Sequence, residues 1–203
     1  TVVKMIETKK QAALRLMLIS GFALLAGSPS SALVIDPGSS VASTPSDAVI
    51  ARWGGSASGV VISSQHVLTT RHQQGGVGTT VRVDGVAYRV EEETIIQDPD
   101  TPANELDLRV VRLVLKPGGE KANFTEFVSI YENTDEVGQE MVLGGFGEGI
   151  GSAITAGPVV QGYNWDGVDN TLRWGANKAT GTQDDSLFAA NLNYTNDILE
   201  AVF

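Results

Sequence analysis

The chain has 203 residues, of which 42% are hydrophobic and 19% are charged. This composition indicates a globular core rather than a disordered chain, and the length suffices for one ordinary domain or two small ones. The net charge is −10, and it is −13 for the residues beyond position 32; an acidic chain is repelled by phosphate backbones, which argues against nucleic-acid binding. The absence of cysteine excludes disulfides, zinc-thiolate sites and thiol nucleophiles, and no motif calls for a metal or an organic cofactor.

The first 32 residues have the order of a secretory signal peptide. Lys9, Lys10 and Arg15 precede the apolar run Leu16–Ala26, and small residues follow up to Ala32. The apolar run is too short to span a bilayer. We therefore expect cleavage after Ala32, and a secreted protein, extracellular or periplasmic, with no membrane attachment once the signal is removed. Residues 33–47 are rich in Ser, Pro and Gly, and the stretch 33–53 is predicted to form a flexible lead-in.

The remaining sequence is predicted to be all-β. Short runs rich in Val, Ile, Leu and Thr are separated by turn residues, and no stretch has a convincing helical period. The predicted strands are Gly59–Ser63, Val67–Thr70, Leu106–Leu115 and Glu140–Leu143, with weaker candidates at Ala153–Gln161, Thr171–Trp174 and Leu187–Leu192. This spacing favours an antiparallel barrel or sandwich.

One hairpin has a particularly clear local signal. Thr80–Val83 and Val86–Val90 alternate in polarity, and they flank Asp84-Gly85. Both turn residues tolerate the positive φ of a type I′ turn, whose twist matches that of paired strands. The sequence predicts a tight hairpin here.

The two histidines of the chain, His66 and His72, lie at the two ends of one predicted strand. A side chain just past a strand end is ordered by the sheet and still accessible to a substrate. Histidine in that setting can act as a general base near neutral pH. His72 is the candidate for this role, and His66 is interpreted as a residue of the polar turn before the strand.

The segment Val67–His72 resembles the catalytic-histidine region of trypsin-like serine peptidases, where a Gly-rich strand and a polar turn precede Val-Leu-Thr-Ala-Ala-His and usually Cys. Here the letters are Val-Leu-Thr-Thr-Arg-His, and Gln73 stands in the cysteine position. The resemblance implies that His72 is the general base. It also implies that the disulfide of the first barrel is missing, so stability must come from packing.

A second match follows at Asp107–Leu113. The family pattern is Asp-(Ile/Leu)-Ala-Leu-(Ile/Leu)-(Arg/Lys)-Leu, and by this resemblance Asp107 is the acid that orients the histidine. The separation of 35 residues from His72 is short for the family but compatible with trimmed loops. Asp98 and Asp100 are alternatives, although a Pro-rich turn accounts for both.

The third match is Glu140–Gly147, which resembles the strand and Gly-Trp-Gly turn that open the second barrel, with Phe146 in the Trp position. The resemblance implies a double antiparallel barrel of the trypsin type. We expect a first barrel over residues 54–132 and an incomplete second barrel over 133–203.

No segment matches the Gly-Asp-Ser-Gly-Gly sequence of the family nucleophile. Ser186 follows an Asp but lacks flanking glycines, so it is interpreted as a loop residue. The expectation is a secreted, monomeric serine endopeptidase that acts on protein or peptide substrates, of which this chain is a fragment without the serine and hence inactive by itself. The alternatives are a non-catalytic, protease-like binding module and an unrelated exported β-sandwich, in which His72 and Asp107 would lie beyond hydrogen-bond reach.

Overall fold

A computed structural model describes residues 4–5, 14–15, 41, 43–55, 57–168, 170–184 and 197–201. Strands dominate this part of the chain, and its helical structure consists of one 3-10 turn, Asp47–Val49. The strands are β1 Lys4–Met5, β2 Leu14–Arg15, β3 Ile50–Trp53, β4 Ala57–Val61, β5 His66–Thr70, β6 Thr80–Val83, β7 Val86–Gln97, β8 Glu105–Leu115, β9 Glu140–Gly145, β10 Glu148–Ala156, β11 Val159–Val168, β12 Arg173–Asp184 and β13 Asp197–Ala201.

Strands β3 to β8 form a closed antiparallel barrel in the order β3-β4-β5-β8-β7-β6. This confirms the all-β class and the barrel. The long strand β8 lies between β5 and β7, so it brings the segment that resembles the triad-acid region directly beside the segment that resembles the histidine region.

The interior of the barrel is filled by branched aliphatic side chains around Trp53. Val111 and Leu113 of β8 belong to this core. Successive side chains of a strand point to opposite faces, so Asp107 and Arg109, four and two residues before Val111, face the same interior side nearer the barrel rim. The outward-facing Leu106 and Leu108 belong to a second core.

The hairpin prediction is confirmed. β6 and β7 pair from Val83↔Val86 to Thr80↔Arg89. Asp84 has φ 47° and Gly85 has φ 76°, the left-handed values that a type I′ turn needs at both central positions.

Two predicted boundaries differ from the structure. The lead-in predicted for 33–53 ends too late, because Ile50–Trp53 is a barrel strand whose apolar residues are buried. The strand predicted at Ala153–Gln161 is two strands of an antiparallel ribbon, β10 and β11, joined by Gly157 and Pro158, where Gly157 has φ 62°. The apolar pattern continues on both sides of that turn, so the sequence predicted one strand where there are two.

After the barrel, β9 pairs with β12, and β12 pairs with β13, in antiparallel register. β13 also pairs in parallel with β2, and β2 pairs with β1, which completes a five-stranded sheet. Among the described residues, only the sheet of β3 to β8 closes into a barrel. The weak strand predicted at Thr171–Trp174 starts at Arg173 and runs further, to Asp184. The strand predicted at Leu187–Leu192 lies outside the described residues, as does most of the predicted signal peptide.

The barrel and the later sheet pack through the second core, where Leu68 and Leu108 meet Phe146, Leu172 and Trp174. Hydrogen bonds also cross the same junction. The Trp174 indole N–H donates to the Asp47 carboxylate at 2.8 Å. The Phe146 N–H donates to Ser58 Oγ, also at 2.8 Å, and so fixes the Gly-Phe-Gly turn against the barrel.

In the described ranges, no helix is both long enough and apolar enough to cross a membrane.

Candidate active site

His72 lies two residues past the end of β5, at the rim of the barrel. The ladder between β5 and β8 ends at Thr70↔Leu108. It is then extended by a hydrogen bond from the Arg71 N–H to the Asp107 carbonyl at 3.2 Å. Pairing with β8 therefore fixes the backbone up to Arg71, directly before His72.

The Asp107 carboxylate holds His72 at two points. Oδ1 accepts the His72 backbone N–H at 2.7 Å. Oδ2 is in close hydrogen-bonded contact with Nδ1 of the His72 ring. A carboxylate that binds both the main chain and the ring of one residue restricts the position of that residue and the rotation of its imidazole.

The partners of the ring indicate its tautomer. An ionised carboxylate only accepts hydrogen bonds, so Nδ1 carries the proton that faces Asp107. The second nitrogen, Nε2, lies 3.0 Å from the Gln73 side-chain amide nitrogen, which only donates, so Nε2 presents its lone pair. Both partners thus fit the tautomer with the proton on Nδ1 and the lone pair of Nε2 turned away from the carboxylate.

The site is sheltered but open on the histidine side. The Asp107 side chain is 8% exposed and that of His72 is 22% exposed. In the described part of the chain, the ring nitrogens of His72 contact Asp107 and Gln73, and no serine hydroxyl. Ser186 lies outside the described residues.

Two residues at this site were passed over by the sequence reasoning. Gln73 was noted only as a replacement for cysteine, and its side chain covers Nε2 of His72. Arg109 was interpreted as part of an apolar strand, and its buried guanidinium donates to the carbonyls of Gln73 and Gly75 in the loop after His72. The available signal for Arg109 was the strand period, which puts it on the same face as Asp107.

The remaining candidates have local structural roles. Asp98 Oδ1 accepts the N–H groups of Asp100 and Thr101 at 2.8 and 3.2 Å, an Asx-type turn. Nδ1 of His66 lies 2.8 Å from Ser63 Oγ in the turn between β4 and β5.

Among the described residues, no group of three or more His, Asp or Glu side chains is arranged to hold a metal ion. No protein-family model matches the chain, and no curated protein is significantly similar to it.

Proposed function

We propose that the chain belongs to a secreted serine endopeptidase with a trypsin-like double-barrel fold, in which His72 is the general base and Asp107 is its orienting acid. The observation that carries the proposal is the two-point hold of Asp107 on His72. It supports the Nδ1–H tautomer, in which the lone pair of Nε2 is the one that would take a proton from a nucleophile. The Gln73 amide faces that nitrogen and would have to move aside.

In the proposed reaction, a serine hydroxyl attacks the carbonyl carbon of the substrate peptide bond while Nε2 of His72 takes the hydroxyl proton. The imidazolium formed is stabilised by Asp107 through Nδ1–H. His72 then gives its proton to the leaving amine, the C–N bond breaks, and water hydrolyses the acyl-enzyme by the same proton route. We assign the nucleophile to a residue outside these 203 positions, because none of them matches the nucleophile segment.

A serine-reactive fluorophosphonate probe tests the proposal on the protein made from the full natural reading frame. The expected result is covalent labelling of one serine, located by peptide mass spectrometry, with peptide hydrolysis by the same preparation. His72→Ala should lower kcat by roughly 10⁶-fold and abolish labelling. His66→Ala, the matched control in the turn before β5, should leave both unchanged.

Absence of labelling in the unaltered protein, or labelling that survives His72→Ala, would overturn the proposal. The first outcome would favour the non-catalytic binding module, which keeps the barrel without a nucleophile.

A further inference from the structure

The loop that follows His72 is held by side chains of the barrel through three successive carbonyl groups. Arg109 Nη2 donates to the carbonyl of Gln73. The Trp53 indole N–H donates to the carbonyl of Gln74 at 2.9 Å, and Arg109 Nη1 donates to the carbonyl of Gly75 at 2.7 Å. Gly75 has φ 103°, so the chain turns sharply at the point where these bonds hold it.

Arg109 is suited to this task because its charge is compensated inside the protein. The residue is 2% exposed. Its Nη1 also donates to Glu93 Oε1 at 3.0 Å, and its Cζ lies 4.4 Å from the centroid of the Trp53 ring. A buried cation needs such a counter-charge and benefits from an aromatic face. The planar guanidinium offers several donors in a fixed geometry, which the single ammonium of lysine cannot reproduce.

The Asp107 and Arg109 side chains bind opposite kinds of backbone group in this loop. The Asp107 carboxylate accepts the His72 N–H, and the Arg109 guanidinium donates to the carbonyls of Gln73 and Gly75. Because the two residues are two apart on β8, their side chains reach the loop from the same face of one strand. A single strand therefore sets both the orientation of the imidazole and the path of the backbone directly after it.

The two residues that make this contact both depart from the family patterns that the sequence resembles. Arg109 stands where the acid-strand pattern has alanine, and Gln73 stands where the histidine pattern has cysteine. The chain has no cysteine, so a covalent tie for this loop is not possible. The Arg109 departure is the one that makes the contact, since the carbonyl that it binds belongs to the main chain and does not depend on the side chain at position 73.

We propose that Arg109 is a positioning residue for His72: stacked on Trp53 and paired with Glu93, it holds the loop that follows the base. The proposal rests on the proposed function for its catalytic meaning, but the positional effect can be measured without catalysis.

The test is nuclear magnetic resonance of the 203-residue chain with Arg109→Lys. The chain contains two histidines, so each imidazole can be assigned, and His66 serves as an internal reference. We expect the His72 ring signals to shift and broaden, and the His72 backbone N–H bound to Asp107 to exchange faster, while His66 stays as in the unaltered chain. Arg112→Lys is the control for the His72 signals, because Arg112 lies on the same strand and pairs with Glu91 and Glu92 instead. In that variant His66 is not the reference, since it is the cross-strand partner of Arg112.

Unchanged His72 signals in a folded Arg109→Lys chain would overturn the proposal. If Arg109→Lys does not fold, Trp53→Phe is the second variant, since it keeps an aromatic face under the guanidinium and removes the N–H bound to Gln74 together with part of the buried indole. Displaced His72 signals in Trp53→Phe support the proposal, and unaltered ones refute it.

In the full protein, a displacement of the base by about 1 Å should cost about 10²-fold in kcat with little change in KM, because the substrate-binding surface is not altered. The two proposals fail in different experiments. Absence of serine labelling in the unaltered full protein would contradict the proposed peptidase function. Unchanged His72 signals in Arg109→Lys would contradict the positioning role of Arg109.

Discussion

Asp107 binds His72 twice, through the backbone N–H at Oδ1 and through ring Nδ1 at Oδ2. The first contact fixes where the residue lies, and the second fixes which nitrogen carries the proton. A substitution that keeps the shape of the side chain but changes one acceptor oxygen into a donor can alter the ring contact and leave the backbone contact in place.

Asp107→Asn is that substitution. The asparagine oxygen can still accept the His72 N–H, but its amide nitrogen would face Nδ1, so we expect the ring to change to the Nε2–H tautomer. Imidazole nitrogen chemical shifts of the 203-residue chain measure this directly, with His66 as the unaffected reference. In the full protein, activity should fall by about 10⁴-fold. Retention of the Nδ1–H form would contradict the assigned roles of both partners.

A second prediction concerns the side chain that covers the basic nitrogen of His72. Gln73→Ala removes the amide 3.0 Å from Nε2 and leaves the backbone carbonyl that Arg109 binds. Losing one hydrogen bond of about 0.5–1.5 kcal/mol should speed modification of His72 by diethyl pyrocarbonate about 2- to 12-fold. Peptide mass spectrometry gives the rate at His72 and, as a reference, at His66.

Gln74→Ala is the control for that experiment, because the exposed Gln74 side chain has the same chemistry one residue further along the loop. Equal rates in the two variants would mean that Gln73 does not protect the nitrogen.

The features that could be predicted from the sequence are those set by residues close together in the chain. The hairpin at Asp84-Gly85 was predictable because the turn chemistry and the alternation of both strands are local. The pairing of His72 with Asp107 needed the family pattern, since 35 positions separate them and no local rule joins them. The strand period places Arg109 on the same face as Asp107, but its burial was not predictable. Arginine is ordinarily exposed, and the counter-charge and the aromatic face that compensate its charge come from Glu93 of β7 and Trp53 of β3.

A third prediction tests how tightly β4 and β5 pack. A Cβ at Gly59 would lie 2.7 Å from Val67 Cγ1 and 3.0 Å from the Leu68 carbonyl oxygen. Gly59→Ala therefore forces the two strands apart and should lower the free energy of unfolding by about 1–3 kcal/mol. Denaturant titration measures the change.

Gly162→Ala is the matched control, because a Cβ there meets no atom within 4 Å. Its unfolding free energy should stay within about 0.5 kcal/mol of the unaltered chain. A Gly59→Ala chain as stable as this control would show that the strands can separate without cost.

The last prediction concerns alkaline stability and Tyr88, whose ring packs edge-on against Phe124 with centroids 5.1 Å apart. Burial, and secondly the negative charge of Asp84, raise the pKa of Tyr88 above its ordinary value of 10.0. The folded protein therefore keeps the phenol proton at a pH where the unfolded chain releases it. The contribution to stability is complete below about pH 10 and is lost as the pH rises through the raised pKa.

Tyr88→Phe removes this titration, so the unfolding free energy of the variant should fall less than that of the unaltered chain between about pH 8 and about pH 11. Tyr163→Phe, on the ribbon strand β11, controls for the loss of one tyrosine elsewhere. Asp84→Asn should lie between the unaltered chain and Tyr88→Phe, because it removes the smaller cause and leaves the burial. Parallel pH curves for the unaltered chain and Tyr88→Phe would show that the phenol proton does not contribute to stability.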